Sequence, residues 1–303
     1  HIVAIDTFIK DFMPNLQING WSNDWFGGYP LYYFYFPLPA IITYFLNIVF
    51  SFGIAFKIMV VMSTILVVYS IEKLMRKTSN QISIYGATAG LFYVFTESFT
   101  IYGGNLASTL AGQFSFAYSL AFANLSIFYL IKSENNFRFT ISSIFLALCL
   151  LSHLIPFIIY SPIYAFYWLS KKQNLNQRIL SIFIFLALVS RWSVSLLMNL
   201  EYTTNMSYTP FSRLDDLIKK DILPIIFILI GLLIAKHKNL IKYKTINLFD
   251  LYIISSSVLL YFYVPEGALW NGRLVPFFNL GIIFLFFKAC LLYTSDAADD
   301  LTR

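Results

Sequence analysis

Between Pro39 and Lys288 the chain is a succession of apolar runs separated by short loops that carry most of its lysines and arginines. Few folds accept that pattern. In lipid every backbone N–H and C=O must be satisfied within the chain, which leaves helices and closed barrels, and apolar runs near ~20 residues without alternation select helices. Composition agrees: 58% of the 303 residues are hydrophobic and 12% charged, with a mean hydropathy of +0.70, more apolar surface than a water-soluble core can use. The expected class is an all-α polytopic integral membrane protein with the lipid bilayer as its solvent. The net charge of +6 predicts no nucleic-acid partner, because the cations are spread through the loops and form no stripe. Cys149 lies inside an apolar segment and Cys290 near the end of the last one, a pair that builds neither a disulfide framework nor a metal spacing.

Charge arbitrates the topology. The apolar run from Pro39 to Phe52 is shorter than the ~20 residues a crossing needs, so residues 37–52 are expected to be interfacial or re-entrant. Nine crossings then fall near 57–75, 83–97, 113–131, 139–152, 155–170, 178–198, 222–235, 246–263 and 274–288, with a fold-back at Ser152-His153-Leu154-Ile155-Pro156. Loops on one side collect Lys73, Arg76, Lys77, Lys132, Arg138, Lys171, Lys172, Arg178, Lys236, Lys238, Lys242, Lys244 and Lys288. Basic loops stay in the cytoplasm, which places outside Lys10, Lys57, Arg191, Arg213, Lys219, Lys220 and Arg273 together with Asp6, Asp11, Asp24, Glu97, Glu201, Asp215, Asp216, Asp221 and Glu266. The expected organisation is a first extracytoplasmic loop over 1–56, with a surface helix over 2–14, and a helical bundle over 57–289. A preceding span is expected upstream of His1, which is neither an initiator methionine nor part of a signal sequence. Residues 290–303 are expected to be foreign to the fold, since Cys-Leu-Leu-Tyr-Thr-Ser-Asp-Ala-Ala-Asp-Asp resembles one reading frame of a transposase sequencing adapter.

Polar chemistry concentrates on the outer face. Asp24 stands between Trp21 and Trp25 and is followed by Gly27, Gly28 and Pro30, so its carboxylate is held in a turn that the glycines permit and the proline stiffens. The run Tyr32-Tyr33-Phe34-Tyr35-Phe36 suits a membrane–water boundary. The stretch reads either as a carboxylate poised at the bilayer surface or as an aromatic belt with a solvated turn. Residues 97–116 are small, polar and glycine-rich, suiting close approach of a sugar or phosphate, or merely tight helix packing. Trp270, Asn271 and Arg273 gather before the last apolar run. That arginine is placed either to grip a phosphate beside a stacking indole or to snorkel beside an interfacial tryptophan. Arg191, beside Trp192, is a charge within a span and is expected to face the bundle interior. His1 and His153 are candidate ligands for a divalent metal such as Mg or Mn, or simply hydrogen-bonded histidines.

Taken together, Gly20 to Pro30, Phe36-Pro37-Leu38-Pro39, Gly103-Gly104-Asn105 to Gly112, Leu151-Ser152-His153 and Leu269-Trp270-Asn271-Gly272-Arg273 resemble the 6-pyruvoyl-tetrahydropterin synthase-related membrane proteins. These are prokaryotic polytopic proteins similar in turn to the GT-C class of membrane glycosyltransferases; nothing in the chain resembles a soluble pterin synthase site. The resemblance implies a GT-C-like helical bundle in the plasma membrane, with an active face outside and a polyprenyl-phosphate-linked sugar as donor. A cell-envelope glycan, lipid or protein would be the acceptor. It implies Asp24 as the catalytic base with Asp6 or an upstream aspartate assisting. Arg273 and Lys57 would bind the phosphate, and Trp21, Trp25, Asn105, His153, Trp270 and Asn271 would line the substrate site. The chain departs from the pattern at Asn23, where an acidic pair is expected, and at Gln113, where a glutamate is expected. A carrier or flippase for lipid-linked sugars, or a non-catalytic envelope assembly subunit, has the same gross features. Sidedness is directly measurable: a cysteine at position 24 should react with an impermeant maleimide on intact cells, and one at position 238 only after lysis.

Overall fold

The structure is a computed structural model that describes residues 1–303 except 25–26, 80–82, 98–100, 133–135, 205–207, 219, 221, 236–246, 266–268 and 302–303. The side chains of 77–79, 83, 231–235 and 291–301 are also outside the description. The chain is about 78% helical. Its main elements are α1 (Ile2–Thr7), α2 (Leu38–Asn47), α3 (Phe52–Ser79), α4 (Ser83–Phe95), α5 (Phe114–Ile131) and α6 (Asn136–Ser152). They continue with α7 (Leu154–Ser170), α8 (Leu175–Met198), α9 (Leu223–Ala235), α10 (Leu248–Tyr263) and α11 (Val275–Leu301). Each apolar run expected to cross is helical, with ends shifted by a few residues at most positions. One small sheet interrupts the helices: β1 (Gly20–Ser22) pairs antiparallel with β2 (Tyr29–Leu31), Trp21 opposite Pro30.

The number of membrane-length helices is smaller than the nine expected crossings. Among the described residues four helices are long and apolar enough to cross, over Phe52–Arg76, Leu106–Ile131, Leu175–Met198 and Asn271–Cys290. The physical reason is length. Helices α6 and α7 have 17 residues each, roughly 26 Å at 1.5 Å per residue, against a hydrocarbon core of about 30 Å. The expected surface helix over 2–14 begins as α1 and passes through a π turn over Phe8–Phe12 and a 3₁₀ turn over Met13–Asn15. Pro14 lacks the N–H that an α-helix would need there. Ile5, Phe8 and Phe12 are buried, while Asp6, Lys10 and Asp11 lie on the more exposed side.

The chain divides into two compact units, residues 1–66 with 112–204, and 67–111 with 205–303. In the first unit α5 is buried along nearly its whole length and packs on α6 and α7, with α8 on α6. Hydroxyls stitch these helices. Tyr160 Oη donates to Asn124 Oδ1 at 2.6 Å, the Tyr164 hydroxyl meets Ser142 and Ser143 at 3.0 and 3.1 Å, and Ser143 pairs with Ser181. Ser119 Oγ lies 2.8 Å from the His153 carbonyl and 2.9 Å from that of Cys149. In hydrocarbon such bonds replace the apolar drive that water supplies to soluble cores.

In the second unit α11 packs on α4, α9 and α10. The Lys288 ammonium bonds both carboxylate oxygens of Asp250 at 2.8 and 2.6 Å, and both side chains are buried. Asp250 also accepts the Asn247 N–H, closing the capping box that starts α10. Helix α4 approaches the last turns of α3 through Gly86 and Gly90. A Cβ at Gly90 would sit 2.9 Å from Val68 Cα, and one at Gly86 3.0 Å from Glu72 Cα, so only hydrogen fits at two positions four apart. Gly90→Leu should lower stability by about 1–3 kcal/mol through overpacking. Thr88→Leu, on an exposed position, should stay within about 0.5 kcal/mol; denaturation of the detergent-solubilised protein measures both.

Candidate functional site

The β1–β2 hairpin presents Asp24 from its turn. Gly28 lies in the left-handed half of backbone space at φ 135°, and a Cβ there would come within 2.2 Å of the Trp21 indole. A glycine is therefore required for the indole to lie flat on the turn, although Trp21 remains 61% exposed. The Asp24 carboxylate is exposed. Its Oδ2 accepts from Thr7 Oγ1 and from Ser22 Oγ, each at 3.3 Å, and the Asp24 N–H donates back to Ser22 Oγ at 3.3 Å. Thr7 belongs to α1, so the hydroxyl pair ties the turn to that helix.

Asp6, one residue before Thr7, is bonded to Lys10 at 2.6 Å. That hydrogen bond, with the charge of Asp6, raises the Lys10 ammonium above its ordinary range. Lys57 is exposed in the second turn of α3, and Arg191 is exposed on α8 where the sequence expected an inward charge. Trp25 lies outside the described residues. His153 caps α7: its Nδ1 accepts the Ile155 N–H at 3.2 Å, and its ring stacks on Phe36 with centroids 4.8 Å apart. The His1 ring meets Tyr35 and Phe114 at 5.8 and 5.2 Å. Among the described residues no group of three His, Cys, Asp or Glu is placed to hold a metal ion.

Bonds to α8 secure the loop that carries Asp24. Trp192 Nε1 donates to the Tyr35 carbonyl at 2.9 Å, and Asn19 Nδ2 donates to Ser195 Oγ at 2.7 Å. Phe36 lies against Trp192 as well as His153, with centroids 5.4 Å apart.

The remaining candidates belong to the second unit. Asn105 is buried and caps the short turn Leu106–Ser108: its Oδ1 accepts the Ser108 N–H and its Nδ2 donates to the Thr96 carbonyl. Asn271 is buried too. Its Oδ1 accepts the Phe211 N–H at 2.9 Å, and its Nδ2 donates to the carbonyls of Phe211 at 2.7 Å and Tyr261 at 2.9 Å. Both amides are engaged with backbone. Trp270 stacks on Tyr208 at 5.2 Å and touches Phe211 and the edge of Tyr102. Arg273 Nη1 donates to the Ile101 carbonyl at 2.7 Å and the Tyr102 carbonyl at 3.2 Å. It thereby braces a β-branched residue held at φ 69°, a conformation that such side chains rarely adopt. Burial first, then the charge of Asp216, raises the Tyr102 phenol above its ordinary range.

Sequence reasoning overlooked Thr7 and Ser22, the two hydroxyls on Asp24, and the rings of Tyr102, Tyr208 and Phe211 around Trp270. Ser22 had a readable signal, since a serine two residues before an aspartate in a turn commonly bonds it. The others are far away in sequence.

No protein-family model, curated protein or solved structure matches the chain. What the geometry defines is a helical, apolar protein whose exposed loop carboxylate is positioned by hydroxyls. Asn271→Ala should lower stability by about 1–3 kcal/mol for each buried backbone group left unpaired. A melting curve measures this, and ligand affinities normalised to folded protein should not change.

Proposed function

We propose that the chain is a membrane glycosyltransferase-like protein that transfers a sugar from a polyprenyl-phosphate donor to an acceptor outside the cytoplasm. The observation that carries this reading is the exposed Asp24 carboxylate, oriented by Thr7 and Ser22 on a hairpin anchored to apolar helices. Sugar transfer to a hydroxyl needs a base within hydrogen-bond reach of the acceptor, and positive charge where the departing phosphate becomes more negative. Asp24 supplies the first and Lys57, in the same unit, the second. Asp6, on α1 beside Thr7, is the assisting carboxylate.

The finer architecture belongs to this reading: a GT-C-like bundle in a prokaryotic plasma membrane, with nine crossings and the first loop outside. Helices where the sequence expects crossings support it, as does the excess of lysine and arginine in the loops of one side. The short helices α6 and α7 then cross together as a hairpin, with His153 at its outer tip and flanking polar residues completing the span. Arg273 acts as the brace of the Ile101–Tyr102 turn.

A general base contributes ~10²- to 10⁴-fold. Asp24→Asn should therefore lower transfer from a lipid-linked sugar by that factor and leave the melting temperature near the parent value, whereas Lys10→Ala should keep most of the activity. Transfer at the parent rate in Asp24→Asn would remove the base from the mechanism. Translocation of the lipid-linked sugar without product would instead mark a carrier.

A further inference from the structure

The first unit contains a cavity of about 440 Å³, within the ~300–1,000 Å³ of small-molecule sites. It is walled by Ala4 of α1, Leu31 of β2, Tyr35, Phe36 and Phe114, with His1, and Ser115 of α5, as its polar lining beside the tyrosines. Three observations mark it as built for a ligand. Ser115 is 1% exposed, and its hydroxyl has no hydrogen-bond partner among the described residues. A buried hydroxyl left unsatisfied is destabilising, and a bound oxygen would remove that penalty. Tyr32, also a lining residue, is held at φ 59° although it is neither glycine nor asparagine, and strain of that kind collects at ligand sites. The aromatic wall is preformed, because Trp192 holds the Tyr35 carbonyl and the Phe36 ring is packed between His153 and Trp192.

The lining selects the ligand. At the ~30 Å³ that a water occupies in the liquid, the volume admits roughly 15 non-hydrogen atoms. The walls are overwhelmingly apolar, so most of those atoms are hydrocarbon. The group that reaches Ser115 is best an uncharged oxygen, since a phosphate or carboxylate there would have only His1, whose ring is already packed against Tyr35 and Phe114, to offset its lost hydration. This disfavours the head of a prenyl phosphate, and the prenyl chain beyond that head carries no oxygen. We propose that the cavity is a binding site for an uncharged single-chain lipid whose alcohol or ester oxygen hydrogen-bonds Ser115. The site is distinct from sugar transfer at Asp24 and does not depend on it.

Trp192 reports on the cavity through Phe36. In a variant whose other tryptophans, Trp21, Trp25, Trp168 and Trp270, are phenylalanine, held in amphipol, 12-bromododecanol should quench Trp192 emission with saturation. 1-Bromododecane should bind more weakly, on the order of fivefold for one hydrogen bond, and 12-bromododecyl phosphate should not compete. Ser115→Ala should bring the alcohol down to the affinity of the bromoalkane and leave the bromoalkane unchanged. Ala4→Phe, which fills the cavity, should abolish saturable quenching by both while the unquenched Trp192 spectrum stays in place. Quenching that rises linearly with probe, equal affinities for alcohol and alkane, or a phosphate probe that binds as well as the alcohol would each overturn the proposal.

Discussion

The hydrogen bond from the Trp192 indole N–H to the Tyr35 carbonyl joins positions 157 residues apart, and the geometry of the first loop follows from it. A two-stranded hairpin has little stability of its own. Here β1 and β2 are three residues each, so their position must come from outside the sheet. Trp192 fixes the chain just after β2, and Asn19 fixes it just before β1 through Ser195. Both anchors stand on α8, three residues apart and so on one face of the helix. With the loop held at both ends, Thr7 has only to steady the turn between them.

A second constraint acts throughout the apolar helices. With no water to fall back on, a hydroxyl or amide there must find a partner inside the protein. Ser119, Ser142, Ser143, Tyr160, Tyr164 and Ser181 do so with one another, with Asn124 and with backbone carbonyls, and the contacts knit four successive helices; Ser115 is the exception on α5 among the described residues. Asp250 and Lys288 are a costlier case. Two buried charges repay their desolvation only when each is fully hydrogen-bonded, and Asp250 meets that condition by bonding the ammonium with both oxygens and the Asn247 N–H with one of them. An apolar pair of equal volume could be as stable, but it would not fix the start of α10.

Much of the helical scaffold was legible because apolar runs and basic loops are local signals. The break at His153 was readable from an apolar run, Phe139 to Leu169, too long for one untilted helix and flanked by basic loops at both ends, which asks for an even number of crossings. The glycines after Trp21 announced a turn. Membrane crossing was less legible: hydropathy marks an apolar run, yet α6 and α7 end before the length of a full span. The strands escaped notice because three residues carry no alternation. The partners of Asn105 and Asn271 escaped for another reason. An amide beside an arginine or a glycine-rich turn suggests a ligand, and only the fold reveals that backbone groups at Thr96, Phe211 and Tyr261 already occupy it. Arg273 teaches the same lesson, since a guanidinium is as good a brace for carbonyls as it is a grip for phosphate.

The two strained non-glycine turns clarify what the loops are for. Tyr32 and Ile101 both adopt positive φ, and neither would do so unless neighbouring contacts over-determined it. At Ile101 the determinant is Arg273, a side chain that would hold the turn whether or not anything bound there. At Tyr32 the ring packs edge-on against Phe8 with centroids 5.2 Å apart, on the same short stretch of chain that Trp192 pins at Tyr35. Relaxing that backbone would displace the aromatic wall and change the shape of the cavity. Instead the chain keeps a strained residue and an unpaired serine around open volume. A loop selected only to cover a bundle would have no reason to retain either, whereas one that must admit a molecule of fixed shape has reason to retain both.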